Sequence, residues 1–403
     1  MVDIRKYTGK IKSRPIRRLA RLLRKITFFL MNFFGAILFF LLRSVRIIPF
    51  VQAFEKDKIH KILIVRPDMI GDVVLATPLI KACRDNFPNA HIAILVSELT
   101  KDLVMKNPYL NKVIITKGIG IKNLIRDRDT INSIRKERFD LALVLFSAFS
   151  CNLLVFLTGA THRIGYGDRG SKFLLTKSLS RDDLQLDIVH NIDLNLNLLK
   201  AIGGKVETKQ LYVSVYEESE AMASRFYKEH GLSESDRVVL IHPGSRKEYQ
   251  RWPASSFANF TDRLIDELNV KIIFLSGPLD GEVVKSVIGQ MHNHPVVASG
   301  LGLRDVISLI KKCDLYIGHS TGTTHIADAL GKTAIMIMGF LKTCDGPGAW
   351  GLTHPGSINV FKDTGCPYCI PSECRDYRCL SDITVQEVFE AAKKQLEKIK
   401  KYS

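Results

Sequence analysis

Residues 61–80 read K-I-L-I-V-R-P-D-M-I-G-D-V-V-L-A-T-P-L-I. A short apolar run passes through a turn holding Pro67 and Gly71 and enters a second apolar stretch, the order expected of a strand feeding a helix. The same grammar extends outward. Strand-like runs at 61–66, 91–96, 113–116 and 140–146 alternate with helix-like stretches such as 78–86 and 131–138. A polar run at 206–220 lacks a long periodic segment and reads as a linker. Beyond it, strand-like runs at 238–241, 271–275, 296–298, 314–317 and 333–338 alternate with helical patterns at 255–268 and 304–311. Such alternation builds parallel sheets with helices on both faces. The expected fold is α/β: two Rossmann-like doubly wound domains facing a cleft, preceded by a helical segment. Their ligands should lie outside the carboxyl ends of the strands. The expected divisions are a segment at 1–50, a first domain at 58–205, a linker at 206–235, a second domain at 236–382 and a terminal amphipathic helix at 383–403.

The 403 residues exceed what one core usually supports, which agrees with two domains and an appendage. With 46% apolar and 25% charged residues the chain is not disordered, and its apolar residues are too dispersed for a polytopic membrane protein. A formal net charge of +17 would point to nucleic acid if it covered one face. Instead, residues 1–25 hold ten Lys or Arg against Asp3 alone, directly before I-T-F-F-L-M-N-F-F-G-A-I-L-F-F-L-L at 26–42 and then Arg43 and Arg46. No stacking-aromatic motif accompanies the charge, so nucleic acid is not an expected partner. Those seventeen residues would span roughly 25 Å as a helix, short of the roughly 30 Å hydrocarbon core. The positive-inside rule also disfavours exporting the basic arm. The segment is expected to lie as a helix or helical hairpin in the cytoplasmic leaflet, its cations on anionic headgroups. A true span and packing on the protein's own body are the other readings. Leu42-Arg43-Ser44-Val45 offers no small-x-small site for signal cleavage. Late in the chain, Cys366, Cys369, Cys374 and Cys379 read C-x2-C-x4-C-x4-C, a spacing that suits structural zinc, reduced packing thiols or two disulfides.

Three loops carry candidate chemistry. In the first, Gly71 permits close backbone approach, while Asp72 reads either as a helix cap or as a functional carboxylate; Asp68 has the same two readings. The second, H-P-G-S-R-K-E-Y-Q-R-W-P at 242–253, joins Ser245 with the cations Arg246, Lys247 and Arg251, a mixture suited to a diphosphate. The third, G-H-S-T-G-T-T-H-I-A-D-A-L-G at 318–331, offers Ser320, Thr321, Gly322, Thr323 and Thr324 where a helix begins, an anion site without a Walker motif. His325 reads as a phosphate contact or as a cap-region histidine. Glu282 reads as a ribose ligand or as a solvated helix-start residue.

Taken together, R-P-D-M-I-G-D-V-V-L-A-T-P, H-P-G-S-R…R-W-P, S-T-G-T-T-H-I-A-D-A-L-G and C-P-Y-C…C…C-L resemble, in this order, glycosyltransferase family 9, the lipopolysaccharide heptosyltransferases. The resemblance covers about 59–395. It implies a two-domain B-type glycosyltransferase fold and inverting, metal-independent transfer with no required cofactor. It also implies a nucleotide-sugar donor, ADP-heptose first, a lipid-linked saccharide acceptor and the cytoplasmic face of the bacterial inner membrane. Asp72 matches the family's general base. Thr321, Gly322, Thr323 and Thr324 match its diphosphate loop, His325 its histidine, and Glu282 approximately its nucleoside-contacting glutamate. Two departures stand out: Ser320 replaces an acid, and Gln250 replaces a lysine two residues before W-P, leaving Arg246, Lys247 or Arg251 to supply the charge. Acceptor recognition is assigned to the first domain, with Arg66, Asp68, Lys101, Arg163 and Arg169 as candidates. The alternatives are a glycosyltransferase of another surface polysaccharide using a different nucleotide-sugar, a nucleotide-sugar epimerase, and a catalytically silent nucleotide-sugar-binding protein.

Overall fold

The computed structural model describes residues 14–44, 53–118, 120–180, 189–341, 343, 345–366, 374 and 376–399. The first sheet contains β1 (Lys61–Val65), β2 (His91–Ser97), β3 (Lys112–Thr116), β4 (Leu141–Val144), β5 (His162–Tyr166) and β6 (Lys177–Leu179), in the order β3-β2-β1-β4-β5-β6. The second contains β7 (Val238–His242), β8 (Lys271–Ser276), β9 (Val296–Ser299), β10 (Leu315–His319), β11 (Ala334–Ile337) and β12 (Ile358–Val360), in the order β12-β11-β10-β7-β8-β9. Every neighbouring pair is parallel. The α/β expectation therefore holds in both halves.

Alternation along the strands explains why their sequences are continuously apolar. Ile62 and Ile64 enter one core while Leu63 and Val65 enter another on the opposite face of the same sheet. Val238 and Leu240 likewise part from Val239 and Ile241. A sheet covered on both faces requires such runs. Each side chain fully removed from water contributes roughly 1.5–3 kcal/mol before the entropy of ordering is charged against it. The inward cores of the two domains merge, since Val73 and Leu79 share one cluster with Leu240 and Ile326.

Several boundaries need correction. The expected linker at 206–235 contains the helix Glu217–Glu229, which buries Ala223 and Tyr227 and packs on the helix Leu303–Lys312 of the second domain. Its first turn carries Glu217, Glu218 and Glu220, and these acids hid the stripe. The terminal helix Val385–Lys398 turns Val388, Phe389, Ala392 and Leu396 into the second core, so it packs as part of the second domain. A capping box between Thr384 and Glu387 fixes its start. Strand β5 had no apolar signal because it reads H-R-I-G-Y, and β6 and β12 have only three residues each.

Among the described residues of the amino-terminal segment, Arg14–Ser44 form one continuous helix, with no hairpin turn within 26–42. Its apolar stretch, Leu22–Leu42, has 21 residues and is long and apolar enough to cross a membrane. One face nevertheless touches the first domain. Asn32 Oδ1 accepts the Lys172 backbone N–H at 2.8 Å. Phe39 sits with its ring centroid 5.1 Å from Phe156 and 5.2 Å from Phe173.

Candidate active site

Strand order reverses between β1 and β4 in the first sheet and between β10 and β7 in the second, and ligand crevices open at such switch points. The loops leaving β1, β7 and β10 meet there. They enclose a cleft of about 460 Å³ lined by Gly71, Asp72, His242, Ser245, Arg246, Lys247, Gln250, Asp280, Ser320, Thr321, Gly322, Thr323, His325, Asp345 and Trp350, among others. The domains touch at its floor. A Cβ on Gly322 would lie 2.6 Å from Ile70 Cβ, and one on Gly71 would lie 2.9 Å from His325 Cδ2. Both glycines are required by proximity, for neither has a positive φ.

Asp72 belongs to the short helix Ile70–Val74 and makes no side-chain cap, which removes the capping explanation for it. Its carboxylate is 21% exposed and is held by Arg66 Nη2. Arg66 also donates through Nε to the Asp72 carbonyl at 3.2 Å and through Nη1 to the Leu145 carbonyl at 3.0 Å. Asp68 Oδ1 lies 3.0 Å from Arg66 Nε yet receives no hydrogen bond, because that N–H points to the Asp72 carbonyl. Burial pushes the Asp68 carboxyl up to about 7, against the pull of Arg66, and the neighbouring Asp72 charge raises it further.

Across the cleft, the hydroxyl loop leads into the helix Gly322–Ala329. His325 in its first turn is 1% exposed, and neither ring nitrogen has a hydrogen-bond partner. Burial lowers its pKa to about 4, so it is a neutral imidazole near pH 7, with one N–H to donate and one nitrogen to accept. His319, at the end of β10, is different. Trp252 N–H donates to its Nε2 at 2.7 Å and its Nδ1 faces the Gly244 carbonyl at 3.2 Å, so this buried ring is a satisfied brace between loops, its pKa depressed to about 3 by burial.

The model of "Glycosyltransferase family 9 (heptosyltransferase)" matches residues 128–369, more than half of the chain. The chain belongs to glycosyltransferase family 9. It is thus a glycosyltransferase of the heptosyltransferase family. Among its relatives, lipopolysaccharide heptosyltransferase 2 of Salmonella typhimurium is 23% identical over 288 residues, covering 69% of this chain and 82% of the relative. Lipooligosaccharide heptosyltransferase 2 of Campylobacter jejuni is 23% identical over 345 residues, 83% of this chain and 98% of the relative. The crystal structure of a family 9 glycosyltransferase from Veillonella parvula superposes with a TM-score of 0.72 at 25% identity, covering 87% of this chain and all, 100%, of that one. The ADP-heptose lipopolysaccharide heptosyltransferase II of E. coli superposes with a TM-score of 0.69 at 21% identity, covering 84% and 99%. The B-type two-domain architecture is thereby shared.

Within this family 9 chain, Ser245, Arg246, Lys247, Ser320, Thr321, Gly322, Thr323 and His325 line the cleft, whereas Arg251, Thr324, Glu282 and the acceptor-side candidates do not. The Glu282 side chain is 90% exposed and paired with Lys285 at 3.1 Å, so it is the solvated helix-start residue; Asp280, two residues earlier, lines the cleft instead. Arg163 is near the beginning of β5, away from the carboxyl edge, and donates to the Ala160 and Leu174 carbonyls at 2.7 and 2.8 Å. Lys101 pairs with Glu98, and Arg169 lies over the Phe146 ring at 5.7 Å. Arg66 and Asp68 are buried beneath the loop, so they support Asp72 in place of meeting an acceptor. Arg251 donates to the Ser245 carbonyl at 2.9 Å and braces the second loop. Lys247 is paired with Asp345 at 2.9 Å, and Arg246 reaches Met69 Sδ of the first domain at 3.3 Å. Sequence reasoning missed His242, Asp280, Asp345 and Trp350. The signal available for His242 was its place at the end of a strand beside the switch point.

Cys366, Cys374 and Cys379 border one small recess as free thiols, and Cys369 lies outside the described residues. Among the described residues no group of three or more His, Cys, Asp or Glu is placed to hold a metal.

Proposed function

We propose that this chain transfers a heptose from ADP-heptose to a lipid-linked saccharide acceptor of the lipopolysaccharide core type, with inversion at the anomeric carbon. Asp72 takes the proton of the acceptor hydroxyl as its oxygen attacks the anomeric carbon. The bond to the diphosphate breaks on the opposite face, and the nucleoside diphosphate leaves with the electron pair. Arg66 holds and orients the Asp72 carboxylate. Arg246, the first-turn amides of Gly322–Ala329 and the hydroxyl loop receive the charge that develops on the diphosphate, in place of a metal. The observation that carries this reading is His325: a buried imidazole with two unpartnered nitrogens, lining one cleft with Asp72 and the hydroxyl loop. Buried polar groups without partners are rare and await a ligand or water. The printed names of the relatives, heptosyltransferases of lipopolysaccharide and lipooligosaccharide, supply the sugar and the acceptor class.

A second reading keeps the fold and chemistry but changes the sugar, because Ser320 and Gln250 stand in the cleft where the family pattern has an acid and a lysine. The test is transfer from ADP-heptose, beside UDP-, GDP- and other ADP-sugars, to heptose-deficient lipopolysaccharide, with product detection by mass spectrometry. Transfer from ADP-heptose alone is expected. Transfer from another donor moves the function to a different sugar, and binding without transfer favours a silent nucleotide-sugar-binding protein. The membrane partner belongs to the same reading: a basic, apolar helix confines the enzyme to an anionic surface on the cytoplasmic side, where a lipid-borne acceptor is concentrated.

A further inference from the structure

Behind the hydroxyl loop lies a further buried histidine that the transfer chemistry above does not use. His242 ends β7 and lines the cleft, and its Nε2 is 3.0 Å from Asp280 Oδ2. The approach of Asp280 is built in. A Cβ on Gly244 would lie 2.1 Å from Asp280 Oδ1, and one on Gly277 2.7 Å from Oδ2. The Gly277 backbone N–H donates to the same carboxylate at 3.1 Å. The hydrogen bond from His242 is the main reason this carboxyl sits below its usual pKa, and an ionised carboxylate is an acceptor only. Nε2 of His242 must therefore carry the hydrogen. In the neutral ring this leaves Nδ1 as an acceptor.

Nδ1 faces the loop. It is 3.1 Å from Thr323 Oγ1 and 3.4 Å from Thr321 Oγ1. Thr323 Oγ1 accepts from the Tyr316 hydroxyl at 2.7 Å, and Nδ1 is an acceptor within reach of its own hydrogen. Thr324 donates to the His319 carbonyl at 2.5 Å. Thr321 Oγ1 is left 3.0 Å from Thr323 and 3.2 Å from Thr324, neighbours that do not depend on its hydrogen.

We propose that His242 and Asp280 act as a positioning pair for the donor's diphosphate: Asp280 fixes the imidazole tautomer, and the imidazole turns the Thr323 hydroxyl inward so that Thr321 presents its hydrogen to the anion. The pair aims the loop without touching the reacting atoms. It rests on the nucleotide-sugar reading only in that the anion is a nucleoside diphosphate.

The test measures binding of ADP, UDP and GDP by calorimetry, then donor and acceptor KM, in the wild type and in His242→Ala, Asp280→Ala, Thr323→Val and the double variant His242→Ala/Thr323→Val. Loss of one buried hydrogen-bond partner should weaken binding of the preferred nucleotide by about 5- to 30-fold. Donor KM should rise in step, with acceptor KM within about twofold. Because the residues act through one another, the double variant should be no worse than either single change. His242→Asn, whose amide oxygen lies near the place of Nδ1, should recover most of the loss seen in His242→Ala. Thr323→Val is nearly isosteric and keeps the test open should His242→Ala fail to fold. Multiplicative losses in the double variant, or unchanged nucleotide binding in Thr323→Val, would overturn the proposal. A wild type that binds none of the three nucleotides overturns the donor-site reading together with it, whereas normal wild-type binding with insensitive variants overturns the positioning pair alone.

Discussion

Asp72 and Asp68 sit four positions apart on one loop and share Arg66, yet burial gives them different work. Asp72 opens to the cleft, so Asp72→Asn should lower kcat by about 10²- to 10⁴-fold, the usual weight of a positioned base. ADP affinity should remain within about twofold, and unchanged turnover in a steady-state assay would remove the base role. Asp68 faces the interior with a raised pKa. Between its ordinary value of 3.8 and about 7, the unfolded chain releases a proton that the folded chain keeps. The folded state therefore binds more protons in that window, and this group's contribution to stability falls as pH rises, by at most roughly 1.4 kcal/mol per pH unit. Asp68→Asn carries no such proton. Urea unfolding at pH 4.5 and pH 7.5 should show the variant gaining stability relative to wild type at the higher pH; a parallel shift at both would show that Asp68 is ionised in the fold. His319 and His325 act in the opposite sense. Their folded pKa values are depressed, so below about 6.5 the unfolded chain takes up protons that the folded one refuses, and their contribution is lost as pH falls.

At the scale of elements, the cleft depends on how closely the helices Ile70–Val74 and Gly322–Ala329 approach. Gly322→Ala places a methyl 2.6 Å from Ile70 Cβ and 3.2 Å from the Gly71 nitrogen, so the domains must part by a fraction of an ångström or more. Misplacement on that scale is expected to reduce kcat/KM by about 10²-fold while far-UV dichroism stays unchanged. A kinetic effect below about threefold would show that the domains close independently of this contact. The two glycines were legible as residues of βα turns that follow short apolar strands, but their part in the contact between the domains was not. The strands buried on both faces were legible too, since their apolar runs admit few other readings. The helix Glu217–Glu229 was not, since its first turn carries Glu217, Glu218 and Glu220, and polarity alone does not distinguish a solvated helix from a linker. Glu282 and Asp280 show the same limit at the site. Two carboxylates beside one turn look alike in sequence, and only the packing of Gly244 and Gly277 selects the second.

For the whole molecule, the contacts of Arg14–Ser44 decide how this helix could meet a membrane. Length does not decide it: the 21 residues of Leu22–Leu42 would cover about 31 Å, close to the roughly 30 Å of hydrocarbon. Contacts do. Phe28 and Met31 approach Gly170, Asn32 binds the Lys172 backbone, Gly35 leaves room for the Phe173 ring and Phe39 is buried against Phe156 and Phe173. These positions form one stripe along the middle of the apolar stretch, at helical spacing. A spanning helix would place that stripe at the bilayer centre, where a folded domain carrying Arg169 and Lys172 cannot follow. The other face exposes Phe29, Phe33, Phe34, Ile37, Phe40 and Leu41, enough to bury in the outer part of one leaflet while the domain stays in water. The helix is therefore expected to lie along the membrane plane, clamped to the first domain. Single cysteines at Thr27 and Ser44, exposed at opposite ends of the apolar stretch, should both react in inside-out vesicles with a reagent that does not cross membranes, in a background lacking the native cysteines. Deleting residues 1–46 should move the protein to the soluble fraction with the nucleotide cleft still competent to bind ADP. Labelling of the two cysteines from opposite sides would establish a span and require the Asn32–Lys172 and Phe39 contacts to open in the membrane.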